Sequence, residues 1–591
     1  MNNYQLSEKF NEMAVMCEYA GENIFKARAF LKTSEIISSL DFELYELESD
    51  FKIKGIGRGA EEIISDFLYS GRSKYYDELK ARVPDDIFLM LNISGIGVKK
   101  LKILCQTLKI NKISELFEKA INGEVKTVKG FSASSEASII REISRIKSEI
   151  NSKLFFVAEK LFYDIKHHLN RVDLIKQIAP AGEFARKLPV IKKMSCSVIY
   201  DSQIGPEKSA AEIKNALKLS VGELSEESGG LSILKTRNFS GDFPLEFFLI
   251  RSGDNCEKIK KILTLSADYI KAQIKENKDF DSGINAYGIE AISEDEFILK
   301  TMPAMIKNFG SLNFVRTAPE HSELVWKTLP PPVFKELKPF TTDKIKGTFH
   351  VHSDYSDGAD SLETIARSAK EMGLSYIGIT DHSKTSFYAG GLSAEKLRGQ
   401  IKEIDSLNLK YAPFKIFKGI ECDILKDGSL DFSDDILKEL DFVIVSIHSH
   451  FKMPGAEMSE RIRRAISNPY VTMLGHISGR LLTNRAGYSF DEEIIFAEAK
   501  KNNVIIELNS NPYRMDIDYK HFGRLSELGI MISINPDSHS ISDAMPCINY
   551  GVNAVNLGAM PESGIFNVKT VEEVENFFKF KKEIAGGLDF K

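Results

Sequence analysis

The spacing of apolar residues changes character along the chain. Over residues 1–150, runs such as GENIFKARAFLKTSEIISSL place apolar side chains three and four positions apart with Lys and Arg between them, which predicts helices. Residues 155–325 mix helical stretches with β-rich runs such as SCSVIY and LEFFLI. The proline-rich run LPPPVFKELKPFTTD has no clear period and predicts a linker at 329–343. From residue 346 strand-like runs (GTFHVH, SYIGIT, FKIFKGIEC, FVIVSIH, VTMLGHI, NVIIELN, IMISIN) alternate with amphipathic helical stretches. That alternation predicts an α/β barrel-like domain with its chemistry at the C-terminal ends of the strands.

Candidate ligands stand at those strand ends, or in the turns just after them. They are His350, His352, Asp357, His382, Glu421, His448, His476, Asp537 and His539, and six of the chain's 11 histidines are among them. His350 and His352 alternate on one strand, so both side chains can serve one metal. Glu421 can bridge two ions with its two oxygens, whereas Cys422 beside it is expected on the opposite face. One histidine at a strand end is usually a packed core residue, but nine coincidences of type and position indicate a multinuclear site. Mixed imidazole and carboxylate ligands suit Mn, Zn or Fe without discriminating among them. Clustered divalent ions lower the pKa of a bound water and neutralise phosphoryl charge, so the expected chemistry is phosphoester hydrolysis. Arg480 and Arg514 are candidate phosphate clamps. His450 and His521 lack the strand-end context or stand one step off register.

In the helical region two short glycine turns, FKIKGIGRGAEEIISDFL (Gly55, Gly57) and LNISGIGVKKLKILC (Gly95, Gly97), each lead into a helical stretch. Such turns aim backbone N–H groups at a phosphate without reading a base. Lys99 and Lys100 follow the second. A weaker third copy, TVKGFSASSEASIIREI, has Ser132 in place of the second glycine. The pattern resembles the helix-hairpin-helix, and its repetition favours DNA over a plain helix–helix turn.

Composition adds bounds. A chain of 591 residues is too long for one core. No apolar run approaches the ~18 residues of a membrane helix, and the N-terminus shows no apolar signal core, so no membrane partner is expected. The 6 cysteines are scattered without a CxxC pair, which fits reduced thiols in a cytoplasm. A net charge of −6 does not exclude nucleic acid, since binding needs only a local basic face.

HVHSDYSDG, TDHS, GIECDI, SIHS, GHISGR and PDSHS together resemble the PHP (polymerase and histidinol phosphatase) domain, which implies a distorted (β/α)7 barrel with a trinuclear site. By position, His350, His352, Glu421 and Asp537 would hold one ion and form the catalytic set. Glu421, His448 and His476 would hold a second, and Asp357, His382 and His539 a third. Ile477 and Pro536 depart from the family's usual Pro and Thr. GENIFKARAF, the two glycine turns and GRSKYYDELKARVP resemble the other half of a bacterial family X DNA polymerase. That resemblance implies a helical DNA-end domain (1–85), fingers (86–150), palm (151–255) and thumb (256–328), then the linker and a PHP domain (344–591) acting as a Mn-stimulated 3′→5′ exonuclease. DNA 3′ ends in gapped or nicked duplex would be the partner, in repair.

The resemblance breaks in the palm, where three carboxylates must hold two Mg ions. Aligned from Ala181 and Gly182, the family serine becomes Glu183, the two aspartates become Lys193 and Ser195, and the third falls at Glu246. Asp201 is too far along to substitute, and TLSAD replaces the nucleotide-side motif at 264–268. A lysine at a Mg position brings the wrong charge, so templated polymerisation is expected to be lost or weak. Ile63 falls near the position of the family's Schiff-base lysine. The favoured reading is a DNA-processing metallohydrolase, ahead of an active repair polymerase with an editing PHP domain, a small-molecule phosphatase of the histidinol-phosphatase type, and a non-catalytic DNA-binding protein.

Overall fold

The computed structural model describes residues 3–38, 44, 52–53, 55–91, 93, 96–150, 152–219, 222–226, 231–237, 243–253, 255–263, 339–483 and 485–585. Gly95, the 264–268 motif, most of the expected thumb and the first part of the expected linker lie outside these residues. The chain forms two compact units, 1–150 and 151–591.

The first unit is helical. Its helices bury one stripe each; Arg58–Ser70 buries Ile63, Ile64 and Phe67, and Val98–Leu108 buries Leu101, Leu104 and Cys105. One hydrophobic core, from Leu6 to Ile143, crosses the expected boundary at 85/86 without a break.

The second unit begins with a five-stranded sheet: β1 (Ile175–Ala181), β2 (Met194–Tyr200), β3 (Gly222–Glu226), β4 (Leu231–Arg237) and β5 (Pro244–Arg251). Its order is β1-β2-β5-β4-β3, with β2 and β5 parallel and the other pairs antiparallel. The helix Phe155–Leu169 packs into its core through Phe155, Ala158, Phe162, Ile165 and Leu169.

A short antiparallel pair, Lys153–Leu154 with Val190–Ile191, lies beside this sheet, and the strands from Gly347 on all pair in parallel. A three-stranded sheet contains β6 (Gly347–Val351), β7 (Tyr376–Ile379) and β8 (Lys415–Lys418). A five-stranded sheet contains β9 (Glu421–Asp423), β10 (Ile444–Ser446), β11 (Met473–Leu474), β12 (Ile505–Asn509) and β13 (Ile532–Asn535), in that order. Bridges at His382–Glu421 and Val351–Ser538 join the two sheets. Every residue of β6, β7 and β9–β13 is buried, as expected of parallel strands covered on both sides. Intervening helices start where the sequence offers a cap: Ser361 Oγ accepts from Thr364 N at 3.3 Å and Asp491 Oδ1 from Ile494 N at 3.2 Å.

Period-two alternation stacks the inward residues in layers. Phe349, Tyr376, Phe417, Phe442, Phe566 and Phe578 form an aromatic plug. Small residues lie above it; a Cβ at Gly419 would come within 2.4 Å of the Phe442 ring. The next step up the strands brings the candidate ligands. Phe417, Gly419 and Glu421 share one face in this way, while Cys422 packs in the outer core as expected.

Candidate metal centre and nucleic-acid interface

All nine strand-end residues converge on one site. Simple alternation from Phe349 would turn His350 outward. Instead His350 adopts a left-handed backbone, φ 59°, and the pairing of β6 with β7 shifts between Thr348 and Val351. This bulge resets the phase, so Phe349 fills the plug while His350 and His352 both reach the site. Asp537 is also left-handed, at φ 47°.

Glu421 is the hub. Its Oε1 lies 2.9 Å from His476 Nε2, 3.2 Å from His350 Nε2 and 3.3 Å from His448 Nε2. Its Oε2 lies 2.9 Å from His382 Nδ1 and 3.8 Å from His352 Nε2. Asp537 Oδ1 is 3.3 Å from His352 Nε2 and 3.5 Å from His350 Nε2. Asp357 Oδ2 is 3.3 Å from His539 Nε2 and 3.5 Å from His382 Nε2. Donors bound tetrahedrally at ~2.0–2.1 Å sit about 3.3 Å apart, so these separations suit shared cations. Four overlapping donor groups result: His352, Asp357, His382 and His539; His350, His476 and Asp537; His350, His352 and Glu421; and His382, Glu421 and His448. They keep the expected clustering but share His352 and His382 between neighbours and place His476 with Asp537 as well as near Glu421. Buried polar atoms without hydrogen-bond partners concentrate here: His350 Nε2, both ring nitrogens of His352, His382 Nδ1, His476 Nδ1 and Glu421 Oε2. Native interiors rarely leave such groups unpaired, so the donor set fits divalent metal.

The electrostatics agree. Burial lowers the His350 pKa, yet Glu507, Glu421 and Asp537 outweigh it and lift the value well above that of ordinary histidine. Burial is likewise overcome at His382 and His448, which are pushed up to about 10, chiefly by Glu421 with Asp357 or Asp423. Burial would raise Glu421 and Asp537, but the surrounding histidines, led by His350, hold both well below the usual carboxylate range. A field that attracts protons this strongly also attracts divalent cations. Asp357 and His539, with side chains 31% and 45% exposed, mark the open side.

Sequence reasoning missed the layer beneath. Glu507 is fully buried; its Oε1 accepts from His350 Nδ1 at 2.6 Å and Asn535 Nδ2 at 2.9 Å, and its Oε2 from the His476 backbone N at 2.6 Å and Asn509 Nδ2 at 3.2 Å. Asp423 accepts from His448 Nδ1 at 2.8 Å, and Asn509 Nδ2 donates to Asp537 Oδ2 at 2.9 Å. Such partners fix imidazole tautomers and ligand orientation. The available signal was a carboxylate inside the apolar run NVIIELN, where a charge is tolerated only if paired.

The two arginines are placed differently. Arg514 Nε stands 3.2 Å from Asp537 Oδ2, at the site. Arg480 donates to the carbonyls of Arg514 (3.0 Å) and Met515 and pairs with Asp518 at 2.7 Å, so its guanidinium braces the loop that carries Arg514. His521 lies by Glu492 at 3.2 Å, and His450 belongs to none of the donor groups.

In the palm-like sheet, Ser195 and Glu246 are register partners on parallel strands. Glu246 Oε2 accepts from Ser195 Oγ at 3.1 Å and pairs with Lys193 Nζ at 2.9 Å, while Glu183 Oε2 accepts from the Lys192 backbone N at 2.8 Å. The ammonium thus neutralises the carboxylate. Asp201 pairs with Lys176 at 3.4 Å and stands six residues past Ser195, roughly 20 Å away at the strand rise.

In the helical unit, Gly55 has φ 94°, Ile56 N donates to Ile53 O at 3.1 Å, and Gly57 opens the helix Arg58–Ser70. Ile96 N donates to Ile93 O, also at 3.1 Å, and Gly97 opens Val98–Leu108, on which Lys99 and Lys100 are exposed. The third copy repeats the turn, with Gly130 at φ 95° and Phe131 N donating to Val128 O at 3.0 Å. There, however, Ser132 Oγ accepts from Ser135 N at 3.2 Å and occupies the helix start, whereas glycine leaves the first two starts without a side-chain cap. Among the described residues no helix is long and apolar enough to cross a membrane.

A parallel α/β domain with convergent His, Asp and Glu donors defines a metal-binding hydrolase class, and residues 348–511 match the PHP domain family. The chain is 30% identical over 567 residues to the DNA polymerase/3′-5′ exonuclease PolX of Bacillus subtilis (strain 168), spanning 96% of this chain and 97% of that one. It therefore belongs to the PolX family, with a C-terminal PHP domain. A probable phosphatase of Caldanaerobacter subterraneus subsp. tengcongensis is 25% identical over 265 residues, 41% of this chain and 96% of its own. The crystal structure of a histidinol phosphate phosphatase from Lactococcus lactis subsp. lactis, complexed with zinc, L-histidinol and phosphate, covers 36% of this chain and 94% of its own, at 19% identity and a TM-score of 0.29.

Proposed function

We propose that this protein is a DNA-repair metallohydrolase whose PHP domain, a distorted (β/α)7 barrel if 415–423 counts as one interrupted strand, trims DNA 3′ ends. The observation that carries this is the convergence of nine donors, with orphaned buried nitrogens, in a chain matched along 96% of its length by a polymerase/3′-5′ exonuclease. Three ions of Mn, Zn or Fe type would be held by the His350–His352–Glu421–Asp537, Glu421–His448–His476 and Asp357–His382–His539 sets. When bound, they supply charge neutralisation and an acidified water. The protein's own part is to position. Glu507 and Asp423 lock the His350 and His448 tautomers, Arg514 steadies the phosphate, and the open Asp357–His539 side admits the strand end. The Gly55–Gly57 and Gly95–Gly97 turns, read as helix-hairpin-helix motifs with Lys99 and Lys100, hold the backbone of gapped or nicked duplex. Templated polymerisation is lost or weak because Lys193 and Ser195 satisfy Glu246 where Mg would bind. The setting is cytoplasmic.

Small-molecule phosphatase activity is the second reading, favoured by the match to a probable phosphatase over 41% of the chain. A 5′-labelled DNA strand and histidinol phosphate, each incubated with the Mn-loaded protein, separate the two. The account expects shortening of the DNA; turnover of the small ester alone would replace it.

A further inference from the structure

Among the described residues, the palm-like part meets the PHP domain beside the candidate site. The loop 510–518 follows β12 and carries Arg514 to Asp537. From within the barrel it is braced by Arg480 and by Ser478, whose N and Oγ donate to Asp516 Oδ2 at 3.0 and 2.9 Å. At its tip Tyr513, beside Arg514, meets the palm instead. Phe156, on the helix Phe155–Leu169, packs edge-on against the Tyr513 ring with centroids 5.3 Å apart and an interplanar angle of 67°. Phe155 and Phe156 also flank Tyr550, at 6.2 and 6.5 Å, on the helix Ile541–Gly558 that follows His539. Lys187 Nζ adds a bond to Asn553 on that helix at 3.2 Å.

We infer that Phe156 is a positioning residue for the nuclease: by fixing Tyr513 it holds Arg514 over the phosphate site, so the palm serves the PHP reaction without performing its own. The inference rests on the functional reading above. An edge-to-face aromatic pair has a preferred geometry as well as buried area. Without Phe156 the loop tip keeps its internal braces but loses the contact next to the arginine, and Arg514 samples more positions. None of the nine donors lies on the loop, so Mn affinity separates an effect through Arg514 from one on the donor set.

The test uses the full-length, Mn-loaded protein and four forms: wild type, Phe156→Ala, Arg514→Ala and the double variant. Two quantities are measured: kcat/KM for shortening a 5′-labelled DNA strand, and the affinity for inorganic phosphate by calorimetry. Phe156→Ala is expected to lower each about fivefold when Arg514 is present and less than twofold when it is absent. Mn affinity should stay unchanged, and Phe156→Tyr should restore most of the loss. Equal losses with and without Arg514, or no loss, would overturn the inference. If the wild type fails to shorten DNA, the functional reading falls, and phosphate affinity still decides whether Phe156 acts through Arg514.

Discussion

His350 shows how a residue type can be readable while its geometry is not. Strand-end position and neighbourhood mark it as a candidate ligand, but the bulge at φ 59° that points it inward beside Phe349 is a tertiary adjustment with no local code. Glu507 went unread because a carboxylate in an apolar run reveals its task only when its four donors are in view. Its isosteric change Glu507→Gln should lower Mn affinity about tenfold or more by freeing the His350 tautomer; calorimetry that finds no change would remove that role. Titration gives a second residue-scale prediction. Histidine in the unfolded chain titrates near ~6.5, and His382 and His448 are raised to about 10 in the fold. In metal-free protein their contribution to stability is therefore full below pH ~6.5 and lost as pH climbs through about 10. Metal held by these side chains would require both imidazoles to be deprotonated. The Tm difference between loaded and stripped protein should thus widen across that window, and a constant difference would contradict the assignment.

At the scale of elements, the strands were legible because parallel strands buried on both faces read as continuous apolar runs. Their division into three- and five-stranded sheets was not, since it depends on Gly419 and Ile420 interrupting one run between β8 and β9. The glycine turns were legible as turns, but the difference between open and self-capped starts shows only once Ser132 meets Ser135. Replacing Lys99 and Lys100 with Ala should weaken DNA binding almost uniformly across sequences and flatten its salt dependence, with hydrolysis of a small phosphodiester unchanged. Fluorescence anisotropy at several salt concentrations measures this, and an unaltered slope would remove the second turn from the DNA path.

At the scale of the whole molecule, one chain carries nine convergent donors and a palm-like sheet whose Glu246 is paired with Lys193. Both rest on residue types that were legible in the sequence: nine positions of metal-ligand type, and Lys193 and Ser195 where the family resemblance expects aspartates. The contact between Phe156 and Tyr513 was not, because residues 357 positions apart meet only after both domains fold. The division of labour is tested most directly by one gel: purified full-length protein with Mn on a 5′-labelled primer–template, with and without dNTPs, for the wild type, His350→Ala and Glu246→Ala. The account predicts shortening by the wild type and by Glu246→Ala, none by His350→Ala, and extension by none of them. Primer extension that survives His350→Ala and disappears with Glu246→Ala would contradict it.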